Sequence, residues 1–297
     1  MYFCSVISLC LVQRTSQDLT EWCEKLMFEV PFYSDMKRIM KSMLSVMAVL
    51  ALLLTACQKD DNNGKNGNSA PEIIPHAVTD IDGNAYDAVK IGDQVWMAVN
   101  LRTTHYADGT AIPAGEDVTS NDEPYYYVNP SVDATMYGYY YNWPAAMHES
   151  ASSSDNPSGV QGVCPTGWHL PSDAEWTQLT DYVGSYSNYT CGGNSAYIAK
   201  ALASTTGWYV CDSADWCDDC GIGVDLSANN STDFSAFPAG FCNDSLFNDA
   251  GYNAYFWSST QGNGNCAYYR GLYYNYAYVR RYYDGKYLGF SVRCLRD

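Results

Sequence analysis

A period of two runs through Gln94–Asn100, where Val95, Met97 and Val99 alternate with Gln94, Trp96 and Ala98. With Tyr86–Lys90 on the far side of Gly92-Asp93, this reads as a β-hairpin. Tyr125-Tyr126-Tyr127 and the run Tyr137–Trp143 put dense aromatics on short segments, which suits strands on a half-buried sheet. The period changes at Ser172. Trp176, Leu179 and Val183 share one helical face, and Ser172 with Glu175 three residues on makes a capping box at its start. A second helix is predicted over Ser195–Ala203, with Ile198, Ala201 and Leu202 inward. From Cys211 to Asn253 the chain is irregular and rich in Gly, Asn, Asp and Ser. Strands are predicted again at Ala254–Ser258, Ala267–Tyr274, Ala277–Tyr283 and Lys286–Cys294, with Asp284-Gly285 as the turn between the last two. Two helices, a small and mostly antiparallel sheet and long loops make an α+β domain over residues 77–297.

The N-terminal part has a different pattern. Lys37, Arg38 and Lys41 precede an apolar run of 13 residues, Met43–Thr55. That is short for a membrane span and right for the core of a signal peptide. Leu54-Thr55-Ala56-Cys57 resembles a bacterial lipobox, whose cysteine thiol receives diacylglycerol. Residues 36–56 therefore read as a lipoprotein signal peptide with Cys57 as the lipidation site, and residues 1–35 as an upstream extension from a mis-called start codon. Gln58-Lys59-Asp60-Asp61 is similar to the acidic surface-export signal of Bacteroidetes-type lipoproteins. Residues 57–76, rich in Asn, Gly, Lys and Ser, read as a flexible linker. The expected location is the outer membrane, exposed at the cell surface on a lipid anchor.

Charge and cysteine usage narrow this further. The chain has 33 acidic against 16 basic side chains, a formal charge of −17. This argues against a nucleic-acid partner, which needs clustered Lys and Arg. Eight of the 12 cysteines follow Cys57. An even number outside the cytoplasm points to disulfides.

Five blocks then carry a family resemblance: Val89–Leu101, Tyr137–Trp143, Val163–Ser172, Phe256–Thr260 and Gly289–Cys294. In this order, over roughly residues 80–297, they resemble the Fibrobacter succinogenes major paralogous domain of bacterial surface lipoproteins. The resemblance implies a C-type-lectin-like fold, related to formylglycine-generating and phage-receptor-binding domains, and no known activity. It implies that the first and last strands lie close together and that Cys164 meets Cys294. A bridge closing a loop that long is worth on the order of 4 kcal/mol in the chain-entropy model. Cys242 with Cys266 is the second expected bridge, flanking the Trp257 strand. Cys191, Cys211, Cys217 and Cys220 are left to pair among themselves.

Candidate chemistry is sparse. Cys211, Cys217 and Cys220 could hold zinc with Cys191, but disulfides are the preferred reading at a cell surface. Asp215, Asp218, Asp219 and Asp225 could offer oxygens to calcium. The lectin-type Glu-Pro-Asn and Trp-Asn-Asp motifs are absent, however, and Glu123-Pro124-Tyr125 stands instead. Solvated loop charge is preferred. His76, His105, His148 and His169 are scattered, and His169 reads as a structural residue tying the loop before the helix. No catalysis, metal or cofactor is expected.

The C-terminal end is the most informative. Nine tyrosines lie between Tyr268 and Tyr287. A core does not easily bury nine phenolic hydroxyls without nine partners, and binding surfaces favour Tyr as a rigid ring with a polar tip. With Leu272 and Val279 inward, alternation sends Tyr269, Tyr273, Tyr278 and Tyr282 outward. Tyr276, Tyr283 and Asp284 fall at turns. Together these residues are expected to bind an unknown protein or glycan ligand. The alternative is a structural or appendage subunit that uses the same face for assembly. The pattern also resembles the variable proteins of diversity-generating retroelements, which are C-type-lectin-like and Tyr-rich near their C-termini.

Overall fold

The computed structural model describes residues 71–297, apart from 117 and 213–215. The segments read as signal peptide and lipidation site, and most of the stretch read as linker, lie outside the described residues. The first hairpin forms as its pattern predicts. Strands β2 (Ala85–Ile91) and β3 (Gln94–Met97) pair antiparallel from Ile91↔Gln94 to Ala88↔Met97. Gly92 at the turn has φ +63°, and a Cβ there would come within 2.7 Å of the Tyr182 ring, so only glycine fits. Strand β1 (Glu72–Thr79) pairs on the outside of β2 and includes the last residues of the stretch read as linker.

Four more short strands precede the C-terminal part: β4 (Tyr126–Tyr127), β5 (Tyr140–Tyr141), β6 (Trp168–His169) and β7 (Phe241–Asn243). β8 (Leu246–Asn248), β9 (Asn253–Gln261), β10 (Cys266–Tyr273), β11 (Arg280–Gly285) and β12 (Leu295–Arg296) follow. The largest sheet has the order β1-β2-β3-β12-β6, so the last strand, β12, lies beside β3 of the first hairpin. Leu295 sits between Trp96 and His169. The second sheet has the order β11-β10-β9, and β4-β5 and β7-β8 are two-stranded ribbons. The architecture is α+β with small, antiparallel sheets.

Helices α1 (Ala134–Tyr137) and α2 (Trp143–Met147) are short and are capped by Asp133 and Asn142. Helix α3 (Asp173–Gly184) starts at the predicted capping box, with the Glu175 N–H donating to Ser172 Oγ and the Ser172 N–H to Glu175 Oε2. Its stripe Trp176, Leu179 and Val183 is buried. The second predicted helix shrinks to one turn, α4 (Ala199–Leu202). Ile198 at its start offers no capping side chain, and beyond it Ala203 bridges to Ala236, which draws the backbone into an extended path. Ile198, Ala201 and Leu202 are nonetheless buried, as the pattern requires.

Two packed clusters flank β9 and β10. Tyr255, Trp257 and Tyr269 belong to one, with Phe290. Ala254, Phe256 and Leu272 belong to the other, with Trp176 and Phe234. These strands are thus covered on both faces. The predicted ends of the chain need correcting accordingly. Asp284 and Gly285 do not turn; they lie in β11 opposite Ala267 and Cys266. Residues 286–294 form no continuous strand. Their main chain threads the interior and bonds in turn to Cys242, Tyr141, Tyr255 and Leu101, so no single neighbour makes a ladder with it.

The cysteines sort by distance. Cys164 and Cys294 are bridged, with Cα atoms 5.9 Å apart. Cys191–Cys220 and Cys211–Cys217 are the other two bridges, which uses up the thiols considered for zinc. The expected Cys242–Cys266 bridge is not formed; both are free thiols. Cys242 sits on β7 opposite Phe247 and packs with Tyr127, Tyr140 and Ala239, while Cys266 opens β10 opposite Gly285. They belong to different sheets. Burial pushes the Cys242 thiol up to about 12, which makes it an inert packing group.

His169 does tie the loop before α3. Its Nε2 lies 2.8 Å from Glu175 Oε1 and its Nδ1 2.6 Å from Asp297 Oδ1. Burial alone would pull the imidazole down, but the hydrogen bonds to Glu175 and Asp297 outweigh it and hold the pKa above the ordinary 6.5. A raised folded-state pKa contributes stability that is full below the unfolded value and is lost as pH rises through the folded one. The melting temperature should therefore fall on going from about pH 6 to about pH 8, and His169→Gln should flatten that slope. Thermal melts across this range test it, and equal slopes for the two proteins would refute it.

Candidate functional site

The tyrosine-dense hairpin is built from a central strand, β10, and an edge strand, β11. Register pairs Tyr268 with Tyr283, Tyr269 with Tyr282, Arg270 with Arg281 and Gly271 with Arg280. One face of the ladder thus carries Tyr269, Tyr273, Arg280 and Tyr282. The other carries Tyr268, Arg270, Arg281 and Tyr283.

The expected outward set divides. Tyr282 is 60% exposed, and Tyr283 and Asp284 are also exposed. Tyr273, Tyr276 and Tyr278 are half-buried. Tyr269 is only 5% exposed and is a core residue, which corrects the sequence reading. Its ring meets Tyr255 at 5.7 Å and Phe290 at 5.1 Å. Leu272 does point inward, but the opposite face at Tyr269 is covered as well. For the buried Tyr269 the hydroxyl is met by another phenol. Tyr273 interacts with the hydroxyls of both Tyr269 and Tyr255, and Tyr255 donates to Asp249 at 2.8 Å. Tyr276 does sit in the turn after β10, where its N–H bonds to the Tyr273 carbonyl, whereas Tyr283 is a strand residue.

The sequence reading missed the arginines and their anchor. Asp173, the first residue of α3, accepts from Arg270 Nη1 at 2.6 Å and from Arg281 Nε at 2.9 Å. Burial would raise the Asp173 carboxyl, but Arg281 and Arg270 outweigh it and hold it below the usual carboxylate range. One carboxylate thus clamps both strands of the hairpin to the helix. Arg281 also lies over the Tyr268 ring at 4.4 Å. The visible signal was the Arg280-Arg281 pair inside a tyrosine run on an acidic chain.

Beside the hairpin, the end of the Cys211–Cys217 loop and Asp218 after it hydrogen-bond to Asn275. Asp218 N–H donates to the Asn275 carbonyl, and Asn275 Nδ2 donates to the Trp216 carbonyl at 3.2 Å. Trp216 is 94% exposed there. Of the acidic residues weighed for calcium, Asp215 lies outside the described residues. Asp218 accepts the Ala277 N–H, and Asp225 accepts from Ser227. Among the described residues no group of three or more metal-ligating side chains comes together. Two clefts of about 240 and 310 Å³, beside His105 and beside His169, are lined by no residue of the hairpin.

No curated protein and no solved structure matches the chain. The model of the Fibrobacter succinogenes major domain family does match, over residues 89–296, from β2 to β12 and including the whole hairpin, and the chain belongs to that family.

Proposed function

We propose that this chain is a cell-surface lipoprotein whose domain binds a protein or glycan ligand through the β10–β11 face and catalyses no reaction. One observation carries the reading. Tyr282 and Tyr283 stand exposed on an edge strand whose neighbours are packed on both faces, and their rings stack 5.5 Å apart. Exposed aromatics beside clamped arginines are the composition of a recognition surface. A C-type-lectin-like arrangement is part of the proposal, supported by the pairing of early and late strands and by the Cys164–Cys294 bridge. Lipidation at Cys57 and surface display rest on the sequence, and Cys57→Ser is expected to free the protein from the membrane fraction. Continued lipid labelling of that variant would refute the anchor.

The binding test is a Tyr282→Ala/Tyr283→Ala double variant, assayed on a glycan array and on immobilised cell-surface protein extract. It should stay folded, because both side chains are exposed, and lose at least ten-fold of the wild-type signal, on the scale of one hot-spot residue. Undiminished binding would overturn the proposal. Self-association of the wild type that the double variant abolishes would point instead to a structural subunit.

A further inference from the structure

We propose that the ligand of this face is an acidic saccharide and that Arg280 takes its carboxylate. The inference rests on the reading of β10–β11 as a binding face. Arg270 and Arg281 are both paired to one carboxylate, Asp173, which leaves the trio one positive charge in excess. Arg280 is not paired: among the described residues, no carboxylate oxygen lies within 4.0 Å of it. Its guanidinium lies over the Tyr273 ring at 4.9 Å and over the Tyr276 ring at 4.8 Å. Interaction with the Tyr278 hydroxyl, and then with Tyr273, favours its charged form. The two ring centroids are only 5.7 Å apart, so both rings lie to one side of the guanidinium and leave its other side, and the N–H donors that Tyr278 and Tyr273 do not engage, open. A cation held this way, half-buried and without an anion, is a preset fork for a carboxylate.

The rest of the chain makes this selective. With a net charge of −17, the protein as a whole repels polyanions, so an acidic ligand has to be held by local geometry rather than drawn by diffuse charge.

The edge of the sheet decides between saccharide and peptide. β11 is the terminal strand, where an extended peptide would ordinarily add itself. Tyr282 and Tyr283 leave the strand on opposite faces, yet their rings lie 5.5 Å apart and 9° from parallel. The two rings therefore meet around the β11 edge, and each also touches its cross-strand partner, Tyr269 for Tyr282 and Tyr268 for Tyr283. Strand addition is obstructed, and flat aromatic surface is presented instead. Tyr276 and Tyr278, stacked at 5.2 Å and 21°, give a second such surface beside Arg280. The electron-rich faces of these rings suit the C–H face of a sugar ring.

The test titrates the purified protein against immobilised polygalacturonate, dextran sulfate, neutral dextran and polyglutamate. Polygalacturonate should bind at least ten-fold tighter than each of the others. Arg280→Gln should lose at least ten-fold of that affinity, with the melting temperature unchanged. Arg280→Lys, which keeps the charge but not the fork, should recover only part of it and guards against a folding defect in the first variant. Preference for dextran sulfate would overturn the carboxylate assignment. Preference for polyglutamate, lost in Arg280→Gln, would make the ligand an acidic peptide and overturn the saccharide while leaving the binding face intact. Neutral dextran bound through Tyr282 and Tyr283 but not Arg280 would do the same. Absence of polygalacturonate binding would overturn the inference alone. Polygalacturonate binding that survives both Arg280→Gln and Tyr282→Ala/Tyr283→Ala would overturn the inference and the face together.

Discussion

Arg293→Met is expected to destabilise the domain by roughly 3 to 5 kcal/mol, because several buried acceptors lose their donor at once. Arg293 is fully buried. Its Nε donates to Asn100 Oδ1 at 2.6 Å, its Nη1 to the Met97 and Phe234 carbonyls at 2.9 and 2.6 Å, and its Nη2 to the Ser235 carbonyl at 2.7 Å. The Phe234 ring lies 4.7 Å beneath the guanidinium. None of these acceptors is a carboxylate, so desolvation pulls the group's pKa down with no ion pair to oppose it. A cation buried at this cost persists because it joins three separated segments, at 97–100, 234–235 and the final stretch. Methionine fills the volume and satisfies none of the acceptors. Lysine keeps a charge but has three donors on a flexible stem and reaches fewer of them. Both variants should therefore melt far below the wild type in a denaturant titration. A loss under about 1 kcal/mol for Arg293→Met would show that the acceptors find other partners.

Cys164→Ala and Cys294→Ala are each expected to cost about 4 kcal/mol, and the double variant little more than either alone. The bridge spans 130 residues, and closing a loop that long removes much of the unfolded chain's freedom. It also fixes the point where the segment before α3 meets the last strand, since Leu295 pairs with His169 and Arg296 with Trp168. Unfolding curves of the two single variants should superimpose. Losses that add in the double variant would show that each cysteine acts through its own packing and not through the bond.

The sulfhydryl pairs show where sequence reasoning reaches its limit. The Cys164–Cys294 bond was implied by the resemblance, because the family blocks place both cysteines beside well-defined elements. Cys242 and Cys266 flank the Trp257 strand in the sequence in the same suggestive way, yet they lie on different sheets and stay reduced. Proximity along the chain says little about a bond that depends on Cα separation and side-chain direction.

The tyrosine face shows the same division. Alternation along β10 told correctly which residues share a face, but which face is wet depends on what packs against it, and β10 is covered on both. Tyr269 was lost to the core for that reason, while Tyr282 and Tyr283 kept their exposure because β11 has no outer neighbour. The clamp by Asp173 joins residues about a hundred positions apart, which no local pattern records. What the sequence determined by itself was local: the β2–β3 hairpin, whose period and Gly92 turn leave one register, and helix α3, whose cap and apolar stripe lie within twelve residues. What only the tertiary structure decided was which cysteines meet, which tyrosines reach solvent and which arginine of the β10–β11 hairpin is left without an anion. Those depend on contacts between distant segments, and such contacts exist only once the chain has packed.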